Sequence, residues 1–303
     1  MTLSYNKEIK EYNGRNITIM ACSQCNINCK HCYISYDGDY EPDELKKISH
    51  ELQKKYAINI NGTELLTNIK YLETLKEVNQ PFFMSNGLAI YKHPEIIDEI
   101  KKYGIKSISL SYHFGIQDNI SVMSTDKIES VIKLLKENDM QVRLLTTITK
   151  KNYLDIVEMC DKAHELGVRG IKFTNFLSQG NAINIESEYI LSKEDKQYTL
   201  YLIEVARQKY DIDELLIERC GSFGRNVFSE KNKFICDAIS DSVTIAPNKK
   251  VYPCVFLTKP GYEIGEYRDG KIYIYNCLDN NGKYCLADEI CNQKKKIRIR
   301  KEG

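Results

Sequence analysis

The 303-residue sequence lacks a dominant charge: forty-three Lys and Arg nearly cancel forty-two Asp and Glu, leaving a formal net charge of +1. With no broad basic field to draw the chain to a phosphate backbone or an anionic lipid surface, neither a nucleic acid nor a membrane is expected as a partner. It also lacks any apolar run near the ~20 residues that a membrane span requires. The opening stretch, MTLSYNKEIKEYNGR, is charged throughout and makes no secretory signal. The expected compartment is therefore the reducing cytoplasm, and a disulfide framework is not expected there. Internal repeats and low-complexity segments are missing too. What remains is an ordered chain whose 42% apolar content can fill a sizeable core.

Against these absences cysteine stands out, with eleven residues at positions 22, 25, 29, 32, 160, 220, 236, 254, 277, 285 and 291. They are clustered toward the two ends of the chain. In a reducing compartment such clusters are metal ligands or reactive thiols more often than bridges.

Between the clusters the texture alternates. NITIMA, YAININ, FFMSN, SISLS, VRLLTTIT and GIKFTNF read as six strands, and the stretches between them have helical periodicity. Leu45, Ile48 and Leu52 share one helix face, as do Ile128, Val131, Ile132 and Leu135, and then Ile156, Cys160, Ala163 and Gly167; Cys160 is thereby assigned to the core. Near-continuous apolar strands separated by helices predict an α/β fold with a parallel sheet, six units making an open, partial (β/α)6 barrel with ligands at the strands' C-terminal ends. A further helix is expected from Lys193 to Tyr210. Beyond it come short strands and turns, with hairpins expected at Asn248–Lys250 and Arg268–Gly270. The expected division is a barrel over 1–210 and a small cysteine-rich domain over 211–303.

In ITIMACSQCNINCKHCY, Cys25, Cys29 and Cys32 form a C-x3-C-x2-C array just after the first expected strand. Three thiolates on one short loop can each hold a corner of a 4Fe–4S cube and leave the fourth iron open to a small ligand. A structural zinc site competes, but zinc knuckles prefer paired C-x2-C units with partners at set distances. Cys22 is extra to the array and reads as a buried thiol beside the loop. His31 reads as a residue that orders the loop.

The spacing, with Tyr33 following it, resembles the signature of the radical S-adenosylmethionine (SAM) superfamily, and further segments resemble that family's motifs in the expected order. Asn61-Gly62-Thr63-Glu64 stands where the family has Gly-Gly-Glu, which implies that Gly62 and Glu64 hold the SAM amino group. Asn61 and Thr63 depart from the pattern, and a turn capping the next helix explains the segment as well. Ser85-Asn86-Gly87 resembles the family's Thr-Asn-Gly turn, and Ser109 or Ser111 stands where a polar residue meets the ribose. Ile148 is placed by the resemblance at the adenine and Asn152 at the SAM carboxylate, although Asn152 is also a plausible helix N-cap. The stretch Phe176–Ala182, with Gly180 at its bend, is similar to the Gly-Asn-Ala element beside adenine. His113, just past the fourth strand, is a satisfied structural histidine or a substrate-side group.

The segment from Cys236 to Cys254, DAISDSVTIAPNKKVYP between them, resembles the opening of the SPASM and Twitch extensions. That implies an auxiliary 4Fe–4S cluster on Cys236, Cys254, Cys285 and Cys291, with Cys277 able to replace either of the last two. Cys220 has three open readings: cluster ligand, hydrogen-atom donor to a substrate radical, or ordinary thiol.

The resemblance implies an enzyme with two 4Fe–4S clusters that cleaves SAM to a 5′-deoxyadenosyl radical and abstracts a substrate hydrogen. A reductant such as flavodoxin or ferredoxin supplies the electron. The implied substrate is a ribosomally made peptide, to be crosslinked, epimerised or oxidised. The stretch ahead of the first cysteine loop is too short for a leader-peptide-binding domain, so a small-molecule dehydrogenase of the aminoglycoside-precursor type is the alternative. A two-cluster electron carrier is the non-catalytic one, and it would need no SAM-binding turn.

Overall fold

The structure, a computed structural model, describes residues 2–223, 236–278, 285–293 and 298–299. Its strands are, in chain order, β1 (Thr2–Glu11), β2 (Asn16–Met20), β3 (Ala57–Asn61), β4 (Phe82–Ser85), β5 (Ser107–Ser111), β6 (Gln141–Ile148), β7 (Gly170–Asn175) and β8 (Leu216–Arg219). After these come β9 (Ser242–Ile245), β10 (Lys250–Tyr252), β11 (Gly265–Arg268), β12 (Lys271–Leu278) and β13 (Arg298–Ile299). They form two sheets, and the chain divides into two compact units, each built around one of them.

The first unit comprises Met1–Cys25, Ile34–Gln80 and Ile235–Gly303. Its sheet has the order β13-β1-β12-β11-β10-β9-β2-β3, parallel across β9, β2 and β3 and antiparallel from β9 to β1. Ile17, Ile19, Ile60, Val243 and Ile245 are buried along the parallel part. The helix Pro42–Leu52 buries Leu45, Ile48 and Leu52, the face its periodicity predicts. The β11–β12 hairpin turns through Asp269 and Gly270, both at positive φ (52° and 76°), the two-residue geometry whose twist suits flanking strands. Beside β3, Gln80 imitates a neighbouring strand. Its amide oxygen accepts from the Ile60 N–H at 2.7 Å and its amide nitrogen donates to the Ile60 carbonyl at 2.9 Å, so both buried backbone groups are satisfied.

The second unit comprises Asn26–Tyr33 and Pro81–Phe234. Its sheet, β4-β5-β6-β7-β8, is parallel throughout. One face is fully packed: Ile108, Leu110, Val142, Leu144, Ile171 and Phe173 are at most 2% exposed. The helices Thr125–Glu137, Ile156–Glu165 and Lys193–Lys209 contact β6, β7 and β8 respectively. Thr125–Glu137 buries Ile128, Val131, Ile132 and Leu135 as expected, and Cys160 is fully buried on its helix. Ser192 and Asp195 form a reciprocal capping box that starts the third helix.

The α/β alternation with parallel strands is as expected, but the six expected strands do not share one ladder. β2 and β3 belong to one sheet and β4–β7 to the other, with no ladder joining β3 to β4 among the described residues; β2 pairs along its other edge with β9, more than two hundred residues later, in register from Asn16 opposite Ser242 to Ile19 opposite Ile245. Among the described residues three strands escaped the pattern, one of them the two-residue β13 in the charged tail. β1 is too charged to alternate, and β8 is a four-residue run, LIER, following the long helix.

Candidate functional site

In the second unit the segment Asn26–Tyr33, carrying Cys29 and Cys32, is tied to the chain beyond the strands' C-terminal ends. Asn86 donates from Nδ2 to Asn26 Oδ1 at 2.8 Å. The Lys30 N–H donates to the Ile120 carbonyl at 3.0 Å, and His31 Nδ1 lies 3.3 Å from the same oxygen. From the other side Asn181 Nδ2 donates to Asn28 Oδ1 at 2.7 Å and to the Cys29 carbonyl at 3.1 Å. The Ala182 N–H reaches the Cys32 carbonyl at 3.3 Å, and Gln179 Nε2 the Tyr33 carbonyl at 3.0 Å. Polar groups of Asn26, Asn28, Cys29, Lys30, His31, Cys32 and Tyr33 are thereby engaged by the chain around the loop. The thiols are kept out of the core: Cys25 is exposed, Cys29 and Cys32 are half-buried. Cys29 Sγ has Ser121 Oγ at 3.7 Å.

His31 meets His113 edge to face, ring centroids 4.3 Å apart. His113 is buried, and its Nδ1 accepts from the Thr147 N–H at 3.0 Å, so the proton sits on Nε2. Burial, and after it the His31 ring, hold its pKa well below the ordinary 6.5. A neutral imidazole placed between β6 and the cysteine loop carries the loop's position back to the sheet.

The other expected residues of this unit lie at the same edge. Ser85 Oγ accepts from the Gly87 N–H at 3.0 Å, and Gly87, at φ 83°, opens the helix Leu88–Lys92 from the left-handed region that favours glycine. Asn86 Oδ1 accepts from the Leu88 N–H. Ser109 is buried, Ser111 half-buried, and both project from the face of β5 opposite Ile108 and Leu110. Ile148 ends β6 fully buried, its carbonyl accepting from the Phe176 N–H. Asn152 closes the following turn. Its oxygen accepts from the Thr149 N–H at 2.8 Å and its amide donates to the Phe114 and Thr147 carbonyls. Gly180, at φ 57°, begins the short 3-10 segment Gly180–Ile185. Cys220 extends β8, its N–H donating to the Phe173 carbonyl at 2.7 Å, so it joins this row of strand ends. A cleft of about 420 Å³ lined by Lys136, Gln141, His164, Arg169 and Asp213 lies at the opposite end of the strands and holds none of these residues.

The first unit carries the remainder. Cys22 is fully buried, its Sγ 3.6 Å from the Glu64 carbonyl, and burial pushes the thiol up to about 11. It is the buried thiol beside the loop that the sequence suggested. It also explains Gly62: a Cβ there would stand 2.7 Å from Leu65 Cδ2 and 2.8 Å from Cys22 Sγ. Glu64 is fully buried and accepts from the Leu66 N–H at 3.2 Å, capping the 3-10 turn Leu65–Thr67.

Cys254 follows β10, its carbonyl accepting from the Leu257 N–H at 3.0 Å. Cys285 and Cys291 bracket the helix Leu286–Cys291, and Cys236 is buried ahead of β9. Cys291 is raised to about 11 by burial, opposed by the nearby Lys259. The Cys277 side chain lies outside the described residues.

Among the described residues no three His, Cys, Asp or Glu side chains converge as they would on a single metal ion. A 4Fe–4S cube makes no such demand, since each thiolate takes a different iron. All ten described cysteines are free thiols. The accessible ones are those of the C-x3-C-x2-C loop together with Cys220, Cys254 and Cys285, whereas Cys22 and Cys160 are buried with raised pKa values. The donor set fits an iron–sulfur cluster at the loop.

No family model matches the chain. AlbA of Bacillus subtilis, the antilisterial bacteriocin subtilosin biosynthesis protein, is 24% identical over 275 residues, covering 84% of this chain and 57% of AlbA. Among solved structures, Streptococcus suis SuiB bound to its precursor peptide SuiA matches with a TM-score of 0.59 at 15% identity, over 82% of this chain and 61% of that one. The structure of anSMEcpe with bound AdoMet matches with a TM-score of 0.60 at 16% identity, over 83% of this chain and 77% of that one. In sequence and in fold the chain resembles the radical SAM enzymes of peptide modification. The structural likenesses, at these identities, are likenesses of fold. The chain also spans little more than half the length of AlbA. Among the described residues no helix is long and apolar enough to cross a membrane.

The sequence did not single out Asn26, Ser121, Gln179 or Asn181, which hold or face the C-x3-C-x2-C loop. Gln179 and Asn181 sat inside a segment noted for adenine, and their amide side chains, flanking a glycine, were the available signal.

Proposed function

We propose that the protein is a radical SAM enzyme that modifies a ribosomally made peptide. The observation that carries this reading is the tethering of the C-x3-C-x2-C loop beyond the C-terminal ends of a parallel sheet, with Cys29 and Cys32 left accessible. Parallel α/β sheets bind ligands at that end. Cys25, Cys29 and Cys32 would hold the SAM-binding 4Fe–4S cluster. The residues that the resemblance assigns to SAM are Gly62, Glu64, Ser85, Asn86, Ser109, Ser111, Ile148, Asn152 and Gly180. When bound, the reduced cluster and SAM supply a 5′-deoxyadenosyl radical that takes a hydrogen atom from the substrate.

The division of labour we propose places the SAM-binding core in residues 1–210 and an auxiliary cluster on Cys236, Cys254, Cys285 and Cys291 in residues 211–303. A flavodoxin or ferredoxin in the cytoplasm would deliver the electron. The peptide substrate is supported by AlbA's part in bacteriocin biosynthesis and by the precursor peptide in the SuiB crystal. Cys220, at the end of β8 and half-exposed, would return a hydrogen atom to a substrate radical.

Anaerobic reconstitution tests the assignment. About eight irons per chain are expected, about four of them lost on replacing Cys25, Cys29 and Cys32 with alanine. The reduced protein should convert SAM to 5′-deoxyadenosine, and Cys254→Ala should lose the second cluster yet still cleave SAM. Zinc in place of iron, or full iron in the triple variant, would refute it.

A further inference from the structure

The five-stranded sheet has a second face, and it differs from the packed one in every strand. Register fixes its rows. Ser109 pairs with Arg143, which pairs with Gly170; Ser111 pairs with Leu145, Leu145 with Lys172 and Lys172 with Glu218; Thr147 pairs with Thr174. Side chains alternate along a strand, so these residues project to one side while Ile108, Leu144, Ile171 and Phe173 project to the other. Cys220 follows on the same side, since Phe173 pairs with Arg219. Arg143, Leu145, Thr147, Lys172, Thr174, Glu218 and Cys220 are all half-exposed.

A parallel sheet is ordinarily buried on both faces and apolar on both. Here one face carries, beside Met84, Leu145 and Leu216, hydroxyls, two cations, one carboxylate and a thiol, a composition suited to a polar ligand. Arg143 and Glu218, on β6 and β8, form an ion pair across the strand between them. That strand is β7, and Gly170, in the same row as Arg143, has no side chain to interrupt the pair. Their charges cancel. Lys172 stands on β7 next to Glu218 and makes no ion pair or side-chain hydrogen bond with any described residue. Among the described residues Lys172 therefore leaves the face one uncompensated positive charge, one strand from Cys220.

We propose that this face receives the substrate and that Lys172 binds one carboxylate of it, an aspartate or glutamate side chain of a peptide, setting the neighbouring residue against Cys220. The inference rests on the peptide-modifying reading above and adds to it a requirement for an acidic residue near the modified one. Thr147, Thr174 and Ser111 would supply hydrogen bonds around the bound carboxylate.

The field of Lys172 is read first, without reference to catalysis. Cys220 is labelled with anionic sulfonatoethyl methanethiosulfonate or with the cationic trimethylammonioethyl reagent, and the Cys220 peptide is quantified by mass spectrometry. A cation at cross-strand distance should favour the anionic reagent about fivefold. Lys172→Gln should abolish that preference, and Lys172→Arg should keep it. Equal rates in the wild type, or a preference that survives Lys172→Gln, would overturn the proposal.

Binding is read second, by fluorescence anisotropy of the iron-loaded protein with SAM and labelled heptapeptides that differ only in a central Glu, Gln or Lys. The Glu peptide should bind several-fold tighter than the Gln peptide, and Lys172→Glu should reverse the order. If Lys172→Gln instead weakens SAM binding itself, the carboxylate held is SAM's and the peptide assignment falls. Charge discrimination without 5′-deoxyadenosine formation would remove the radical SAM reading and leave the carboxylate site standing. Formation of 5′-deoxyadenosine with no discrimination overturns the Lys172 assignment alone.

Discussion

Removing the Asn181 side chain should loosen the grip on the cysteine loop without disturbing the sheet beneath it. Asn181 is exposed, and its Nδ2 makes two contacts, to Asn28 Oδ1 at 2.7 Å and to the Cys29 carbonyl at 3.1 Å. A net hydrogen bond is worth about 0.5–1.5 kcal/mol, and exposure places these toward the lower end. The pair together is then worth about 1–1.5 kcal/mol, which corresponds to roughly a tenfold change in an equilibrium. Ala182 and Gln179 continue to hold Cys32 and Tyr33, so the loop should open more often but not detach. In anaerobically reconstituted protein, Asn181→Ala should release iron to a chelator about tenfold faster than wild type, with an unchanged melting temperature. Asn28→Ala should produce part of the same effect, and the double variant should be no worse than Asn181→Ala, because residues in one network do not add. Unaltered iron release in Asn181→Ala, or additive effects of the two substitutions, would refute the tethering argument.

Stability should fall with acid in a way that depends on His113. Its pKa is depressed in the folded state, so the unfolded chain binds a proton below about 6.5 that the folded chain refuses; the stability is present above that pH and lost progressively below it. Denaturant titrations of the apoprotein between pH 7.5 and 5 should show this slope, and His113→Gln should flatten it; an identical slope in the variant would count against the buried neutral imidazole. Cys160, its thiol raised to about 12 by burial, should resist iodoacetamide in native apoprotein while exposed Cys25 is alkylated. Comparable labelling of the two, read by peptide mass spectrometry, would show that the helix face carrying Cys160 opens.

Where neighbouring residues alone set the geometry, the sequence was legible. The faces Ile128/Val131/Ile132/Leu135 and Leu45/Ile48/Leu52 follow from a helical period within a dozen residues, and the Asp269-Gly270 turn from two residues that tolerate positive φ. Cys25, Cys29 and Cys32 share a loop because the chain joins them within eight residues, so their common chemistry could be read before any fold was known. Buried Cys160 and Cys22 likewise follow from an apolar face and from lying just ahead of the loop.

Strand pairing is of another kind. A strand's period specifies which side chains share a face but not which strand lies alongside. β2 therefore had to be seen beside β9, and β8, a four-residue strand that ends in two consecutive charged residues, had to be seen beside β7. That second pairing moves Cys220 from an unassigned thiol to the end of a parallel sheet, and it aligns Lys172 with Glu218 so that, among the described residues, one cation remains unpaired on the half-exposed face. The identity of the residues was written in the chain. Their juxtaposition depended on which edges were free once the apolar face had been buried, and that is decided only when the whole sheet assembles.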